Sequence, residues 1–183
     1  GCDSIIGGAE PISAAVMDCA PELRFISRCS VGLDSVDLLV ARQRGIPVSY
    51  VAGANAVAVT ELTVGHVLSL IRGVKESDTS LRDGAWVRVM GRSLDELTVG
   101  IIGVGRIGKL VAGHLAAFGA KIIANDLMPD EAIGEELGIE WIEKERLFRE
   151  ADVVCLHVPV TPLTRNVVSR EALATMKPDA VLI

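Results

Sequence analysis

The sequence is poor in aromatic residues and in positive charge, and it has no long apolar run. Phe, Trp and Tyr make up 3% of the 183 residues, although half of the residues are apolar. Aliphatic side chains must therefore fill the interior, which is typical of helices packed on a parallel sheet. The net charge of −6 and the absence of a basic stripe argue against a nucleic-acid partner. No apolar run reaches the roughly 18 residues of a bilayer-spanning helix, so no membrane association is expected.

The four cysteines are scattered along the chain and include no CxxC pair. Their spacing predicts no disulfide framework, and no metal site is expected. Cys155 lies in an apolar run, where a buried free thiol is expected. Free thiols of this kind fit a reducing compartment, and we expect a cytoplasmic protein.

The first block of the chain, residues 1–54, alternates short apolar strands with helices. Strands are predicted at 4–8, 24–28 and 48–51, and helices at 11–20 and about 35–44. Strands that alternate with helices indicate parallel pairing.

A connector, residues 55–96, follows this block. Asn55 can cap a helix whose first half is apolar on nearly every side, which predicts that this half is buried. Its second half turns polar from Lys75 and ends near Gly84. We interpret it as one long helix between two lobes, whose apolar half can also be covered by a second subunit. His66, within it, is expected to be a buried or interface residue.

The third block, residues 97–183, again alternates strands and helices, and it predicts a Rossmann-type doubly wound parallel sheet. Strands are expected at 98–104, 121–126, 140–142, 152–160 and 180–183. The helix after the first of these strands has apolar residues at spacings of three and four, which predicts a face against the core. That face comprises Ile107, Leu110, Val111, His114, Leu115 and Phe118.

A glycine motif, GVGRIG, lies between the first strand and the first helix of the third block. Gly103 permits a tight turn, Gly105 has no Cβ to block a pyrophosphate, and Gly108 lets the helix press against the sheet. Unpaired N–H groups at the start of the helix then face the phosphates. A packing turn without a ligand is the alternative, but the strand-turn-helix context favours a dinucleotide site.

The next strand ends in Asp126, which lies 18 residues after Gly108, close to the roughly 20 residues expected for an acid that binds ribose hydroxyls. A carboxylate at this point repels a 2′-phosphate. No arginine follows it in the sequence DLMPD. The motif therefore favours NAD over NADP, unless Asp126 is simply a surface residue.

Four segments together resemble the D-2-hydroxyacid dehydrogenase family, and most of all its D-3-phosphoglycerate dehydrogenase branch. They are SVGLDSVDLLVARQRGIPV, GANAVAVTELTVGHVLSLIR, LTVGIIGVGRIGKLVAGHLAAFGAKIIANDLMP and ADVVCLHVPVTPLTRNVVSREALATMKPDAVLI. The resemblance implies that residues 1–54 are part of a flavodoxin-like substrate domain and that residues 97–183 are part of an NAD-binding domain. Ser35 departs from the family, which often has Asn there.

The resemblance also implies roles for residues of the first block. Val31 would lie near the nicotinamide, and the backbone N–H of Gly32 would receive the substrate carboxylate. The alternative is a strand-to-helix turn capped by Asp34, with Asp37 three residues on, as in a capping box. Asn55 reaches the substrate in some relatives, but it can also serve only as a helix cap.

In the third block the resemblance assigns contacts to both ends of the cofactor. Arg106 and Ile107 would present backbone N–H groups to the pyrophosphate. His157, Val158 and Pro159 would wrap the adenine and ribose end. His114 is expected to pack in the core. None of the histidines is expected to act as the general base, because the sequence supplies no carboxylate partner.

The family's catalytic Arg, Glu and His would lie beyond Ile183, so no catalytic residue is expected in this chain. We interpret the chain as a central fragment that lacks dehydrogenase activity alone. The intact protein would transfer a hydride between NAD and a D-2-hydroxyacid as a homodimer joined through the connector helix. One alternative is an NAD-responsive corepressor of the same family. A weaker one is another Rossmann enzyme, related to homocysteine hydrolase or alanine dehydrogenase.

Overall fold

A computed structural model describes residues 1–183. The chain divides into two compact units, Gly1–Ala56 and Val57–Ile183. Each unit has its own parallel sheet and its own buried core, and each is described by itself.

The first unit contains a three-stranded parallel sheet in the order β1-β2-β3. Its strands are β1 (Ser4–Gly7), β2 (Phe25–Arg28) and β3 (Val48–Ser49), and its helices are α1 (Ala14–Asp18) and α2 (Leu38–Gln43). The predicted alternation is confirmed, although every element is shorter than the sequence pattern suggests. The core gathers around the central strand and consists of Ile12, Met17, Leu23, Ile26, Val36, Ala41 and Ile46.

The connector is not one helix, which corrects the expectation from the sequence. It forms α3 (Ala56–Ile71) and α4 (Val74–Arg82), whose axes are bent by 68°. Gly73 lies at the break with φ 59°, a left-handed conformation that ends a helix and that glycine adopts without strain. A Cβ at this position would also collide with Val89 Cγ1.

The apolar half of the connector is not buried on all sides within the chain. Thr60, Thr63, Val67 and Ile71 are buried, and Val67 and Ile71 belong to the core of the second unit. Leu62, His66 and Leu70 are exposed and follow one another at intervals of one helical turn. His66 is therefore not a buried residue of this chain. None of the helices, taken singly, combines the length and hydropathy of a bilayer-spanning segment. Only α3 and α4 taken together, across their bend of 68°, are long and apolar enough.

The second unit contains a five-stranded parallel sheet in the order β6-β5-β4-β7-β8. Its strands are β4 (Thr98–Ile102), β5 (Lys121–Asn125), β6 (Ile139–Trp141), β7 (Val153–Leu156) and β8 (Val181–Leu182). Its further helices are α5 (Arg106–Ala117), α6 (Glu131–Leu137), α7 (Lys144–Glu150) and α8 (Arg170–Thr175). The strand order reverses between β4 and β7, which is where open parallel sheets of this kind bind ligands.

Helices cover both faces of this sheet, which confirms the doubly wound arrangement. On one face, α3 and α5 pack on the strands through Val67, Val111 and Leu115. On the other face, α7 packs through Leu147 and Phe148. Cys155 is a buried free thiol in β7, as expected, and burial raises the pKa of this thiol to about 12, so it carries no charge at neutral pH. The other three cysteines are exposed and free.

The buried stripe of α5 is narrower than its apolar pattern predicts. Gly108, Val111, Ala112 and Leu115 are buried, whereas Leu110, His114 and Phe118 are exposed. The buried face is rotated toward the small residues Gly108 and Ala112, so Leu110, His114 and Phe118 lie outside it. His114 is therefore not a core residue; its Nδ1 lies 2.6 Å from the carbonyl oxygen of Leu110.

One carboxylate joins three strands at the amino edge of the second sheet. Asp152, which precedes β7, accepts a hydrogen bond from the Thr98 N–H of β4 at 2.8 Å and one from Lys177 Nζ, ahead of β8, at 2.8 Å. Arg92 lies 3.7 Å from the same carboxylate. Burial raises the pKa of Asp152, but the hydrogen bonds from Lys177 and Thr98 outweigh it, so the pKa lies below its usual value.

We expect Asp152→Asn to lower the free energy of unfolding by about 2 kcal/mol at pH 7, because a side chain that is only 13% exposed loses the charge that binds Lys177 and the Thr98 N–H. A carboxylate with a lowered native pKa stabilises the fold above its unfolded pKa, and this contribution is lost as the pH falls through the native value. The difference between the two proteins should therefore shrink below about pH 4. Urea unfolding at several pH values measures it.

Asp179→Asn is the matched control for this prediction. Asp179 also pairs with Arg92, at 2.9 Å, but its side chain is 68% exposed. Its replacement should therefore cost less than about 0.5 kcal/mol. A loss for Asp152→Asn that is independent of pH would show that the charge of Asp152 does not hold the three strands.

Candidate functional site

A turn between β4 and α5 approaches the neighbouring strand closely. Gly103 has φ 91°, which favours glycine. A Cβ on Gly103 would lie 2.6 Å from Val158 Cγ1 and 2.7 Å from the carbonyl oxygen of His157. The turn therefore lies directly against the segment that follows β7, and no larger residue fits at Gly103.

The start of α5 lies in front of open space. Gly105 is the residue before the first helical turn, and a Cβ built on it would meet no atom within 4 Å. Three residues later the situation is opposite, because a Cβ on Gly108 would collide with the carbonyl oxygen of Gly103. The amides of the first turn, including those of Arg106 and Ile107, have no partner within the helix. An anion can therefore approach them past Gly105.

Asp126 joins the end of β5 to the glycine turn. Its Oδ2 accepts a hydrogen bond from the Val104 N–H at 2.7 Å, and its Oδ1 accepts one from the Met128 N–H at 2.9 Å. Each oxygen of an ionised carboxylate can accept a second hydrogen bond. The carboxylate is thus fixed in position and still able to bind hydroxyl groups.

A cavity of about 280 Å³ opens at the carboxyl ends of β4, β5 and β7. Six residues proposed from the sequence line it, namely Gly103, Gly105, Asp126, His157, Val158 and Pro159. Arg106 and Ile107 follow Gly105 directly. Val31 and Gly32 lie on the loop after β2, and Asn55 is an exposed residue that directly precedes α3.

Other residues of the cavity wall were not singled out from the sequence. They are Ile102, Asn125, Leu127, Lys144, Thr161, Leu163, Thr164 and Val167. Thr161 and Thr164 stabilise the loop after β7, because the Thr161 N–H donates to Thr164 Oγ1 at 2.8 Å and that hydroxyl donates to the Pro159 carbonyl at 2.5 Å. The paired threonines of VTPLT are the signal that could have revealed this wall.

His157 adds a neutral group to the wall. Its backbone N–H donates to the Ile102 carbonyl at 2.8 Å. Its Nε2 is buried, and no protein group bonds to it. Burial lowers the pKa of His157, so the imidazole is uncharged at neutral pH. No carboxylate orients it, which does not suit a general base.

The turn after β2 is capped differently from the sequence expectation. The first helical residue is Leu38, and the Val40 N–H donates to Asp37 Oδ1 at 3.1 Å. Asp37 is therefore the cap, and Asp34 is an exposed loop residue. Because α2 starts later, a longer loop carries Val31 and Gly32.

The open helix start, the fixed carboxylate and the mostly apolar cavity wall form one arrangement. Unpaired amides fit a diphosphate, a carboxylate fits ribose hydroxyls, and side chains such as Leu127, Val158 and Leu163 fit a flat base. The residues present therefore fit a dinucleotide.

Comparison with known proteins gives a consistent result. Residues 64–183 match the model of the D-isomer specific 2-hydroxyacid dehydrogenase, NAD binding domain. The hydroxypyruvate reductase of Thermotoga maritima is 35% identical over 98% of this chain and 58% of its own length. The D-3-phosphoglycerate dehydrogenase of Mycobacterium leprae is 37% identical over 98% of this chain and 34% of its own length.

Solved structures agree with the sequence comparisons. A D-lactate dehydrogenase from Aquifex aeolicus, complexed with NAD and lactic acid, superposes with a TM-score of 0.93 at 29% identity. The match covers 99% of this chain and 55% of that one. The chain thus spans little more than half of the length of the first relative and about a third of the length of the second. It belongs to the D-isomer specific 2-hydroxyacid dehydrogenase family, and residues 64–183 form the part that matches the family's NAD-binding domain.

Proposed function

We propose that the whole protein is an oxidoreductase that transfers a hydride between NAD and a D-2-hydroxyacid. The observation that carries this proposal is the open space in front of Gly105, beside the fixed carboxylate of Asp126. The relatives are named as reductases and dehydrogenases of small acids, and these names support the proposal. They lend no support to the corepressor alternative.

The geometry of the second unit supports the contacts that we propose to the cofactor. The N–H groups of Arg106 and Ile107 bind the pyrophosphate, which approaches because Gly105 has no side chain. Asp126 accepts hydrogen bonds from the ribose hydroxyls, and its charge disfavours a 2′-phosphate. His157, Val158 and Pro159 cover the adenine and ribose end.

The proposed contacts to the substrate lie in the first unit. The N–H of Gly32 binds the substrate carboxylate, Val31 lies beside the nicotinamide, and Asn55 contacts the substrate. When bound, the cofactor supplies the hydride that reduces a 2-oxoacid carbonyl carbon, and an acid group supplies the proton for the oxygen. We assign that acid to none of the three histidines, because no carboxylate bonds to any of them.

We also propose that the protein is a cytoplasmic homodimer joined through the connector. The exposed stripe of Leu62, His66 and Leu70 on α3 supports this proposal, because two of its side chains are large and apolar and are 61% and 56% exposed. Such a stripe is unfavourable in water unless another surface covers it.

We expect Gly105→Ala to abolish measurable NADH binding by the chain, or to weaken it at least about a hundredfold, because the methyl group occupies the approach to the helix amides. The fold should be unaffected, since φ at Gly105 is −74° and the added Cβ meets no atom. Calorimetric titration measures binding and thermal unfolding measures stability. Gly65→Ala is the control, since a Cβ there also meets nothing. Normal binding by Gly105→Ala would contradict the proposed position of the pyrophosphate.

We expect Asp126→Asn to raise the dissociation constant of NADH about tenfold, because charge-assisted hydrogen bonds to the ribose are weakened. The same change should lower the dissociation constant of NADPH, since the negative charge is removed. Titration with both dinucleotides gives the ratio of the two constants. Glu136→Gln removes a charge from an exposed position of α6 and should leave that ratio unchanged. A ratio that stays the same in Asp126→Asn would remove Asp126 from the proposed site.

We expect Leu62→Glu to convert the proposed dimer into a monomer, because it buries a charge in the apolar stripe. Light scattering coupled to size-exclusion chromatography measures the mass. Val57→Glu introduces the same charge at a position of α3 that is 63% exposed but lies outside the stripe, and it should leave the dimer intact. A monomeric parent protein, or a dimer that tolerates Leu62→Glu, would refute this interface.

A further inference from the structure

The carboxyl edge of the first sheet carries an unbalanced set of charges. Because β1, β2 and β3 are parallel, the loops that follow them, 8–12, 29–36 and 50–55, lie at the same edge. The loop after the central strand contains Gly32, the proposed receiver of the substrate carboxylate. These three loops contain two carboxylates, Glu10 and Asp34, and no lysine or arginine.

The nearest cation is Arg28, whose side chain is buried and hydrogen-bonded within the first unit. It is the last residue of β2 and is 3% exposed. Its Nη1 donates to the Glu10 carbonyl at 3.2 Å, and its Nη2 donates to Ser35 Oγ at 2.8 Å. Both terminal nitrogens thus join the loop after β1 to the loop after β2. Arg28 cannot turn outward to bind an anion without releasing both loops.

The side chain of Glu10, by contrast, is a fixed and exposed negative charge. Its Oε2 accepts a hydrogen bond from the Gly8 N–H at 2.7 Å. Hydrogen bonds from its own backbone and from Gly8 hold the pKa of Glu10 below its usual value, so the group is ionised at neutral pH. The loop that carries it is joined to the Gly32 loop, because the Ile12 N–H donates to the Ser35 carbonyl at 2.7 Å.

We propose that Glu10 makes this edge select 2-oxoacids without a second anionic group, such as hydroxypyruvate or glyoxylate, over phosphorylated ones, such as 3-phosphohydroxypyruvate. This inference rests on the proposed function, since it presumes that a substrate carboxylate binds at Gly32. A phosphate dianion at the same edge would meet like charge and no free cation. The relatives include both a hydroxypyruvate reductase and D-3-phosphoglycerate dehydrogenases, and the inference groups this protein with the first kind.

The test compares two substrates that differ only in the phosphate. Oxidation of NADH by the whole native protein gives kcat/KM for hydroxypyruvate and for 3-phosphohydroxypyruvate. We expect the unphosphorylated acid to be preferred at least about tenfold at low ionic strength, and we expect added salt to reduce this preference because it screens exposed charges. Glu10→Gln should reduce the preference at least about threefold, and Glu10→Lys should reduce it further.

Asp3→Asn is the matched control. Asp3 is an exposed carboxylate that precedes β1, so it lies at the opposite edge of the same sheet, and its replacement changes the net charge by the same amount. It should leave the ratio of the two kcat/KM values unchanged.

Three results would overturn the inference, and they are distinguishable. A native protein that prefers the phosphorylated acid contradicts the selectivity itself. A ratio that neither salt nor Glu10→Gln alters removes Glu10 as its cause. Absence of NADH oxidation with either acid, in a protein that binds NADH, overturns the proposed reaction and the selectivity with it.

Discussion

The close approach of α5 to β4 is the constraint on which the second unit depends. A single added carbon at Gly108 would collide with the carbonyl oxygen of Gly103, so the helix and the glycine turn fit only without that carbon. The unpaired amides of the first turn directly follow Gly105, where an added Cβ would meet no atom. Asp126 then fixes the turn through the Val104 N–H, and so one carboxylate serves both the fold and the proposed ribose contact. Packing and the proposed binding surface are therefore a single feature here.

Local rules were sufficient to predict the elements of this feature. The spacing of Gly103, Gly105 and Gly108 and the position of Asp126 follow from steric and charge requirements that act within a few residues. The alternation of strands and helices likewise predicted two parallel sheets. The cavity wall around Lys144 and Thr161 could not be predicted in this way, because its members come from segments that meet only when the sheet forms.

Two wrong expectations, one for the connector and one for α5, came from reading helical periodicity without the packing around it. The connector was predicted as one helix that begins at Asn55 and ends near Gly84, but the left-handed Gly73 separates α3 from α4 and allows the 68° bend. On α5, a spacing of three and four placed His114 with the core residues, but the buried face is centred on the side of Gly108 and Ala112 and leaves His114 outside. Periodicity states which residues share a face, and packing decides how much of that face is buried.

The two units differ in the charged side chain that they hold in place and in whether that side chain remains accessible. In the second unit a carboxylate, Asp126, remains available beside open amides, whereas in the first a cation, Arg28, is buried with its Nε unpaired. Arg28 forms no salt bridge, although its charge contributes to the lowered pKa of Glu10, and burying a guanidinium in this way is unfavourable unless the structure gains elsewhere. Its two hydrogen bonds fix the loops after β1 and β2 against each other. A rigid site loses less entropy when a ligand binds, so these contacts would favour the substrate site that we propose at this edge. In the same proposal, the exposed carboxylate of Glu10 would repel a second anionic group from a constant position.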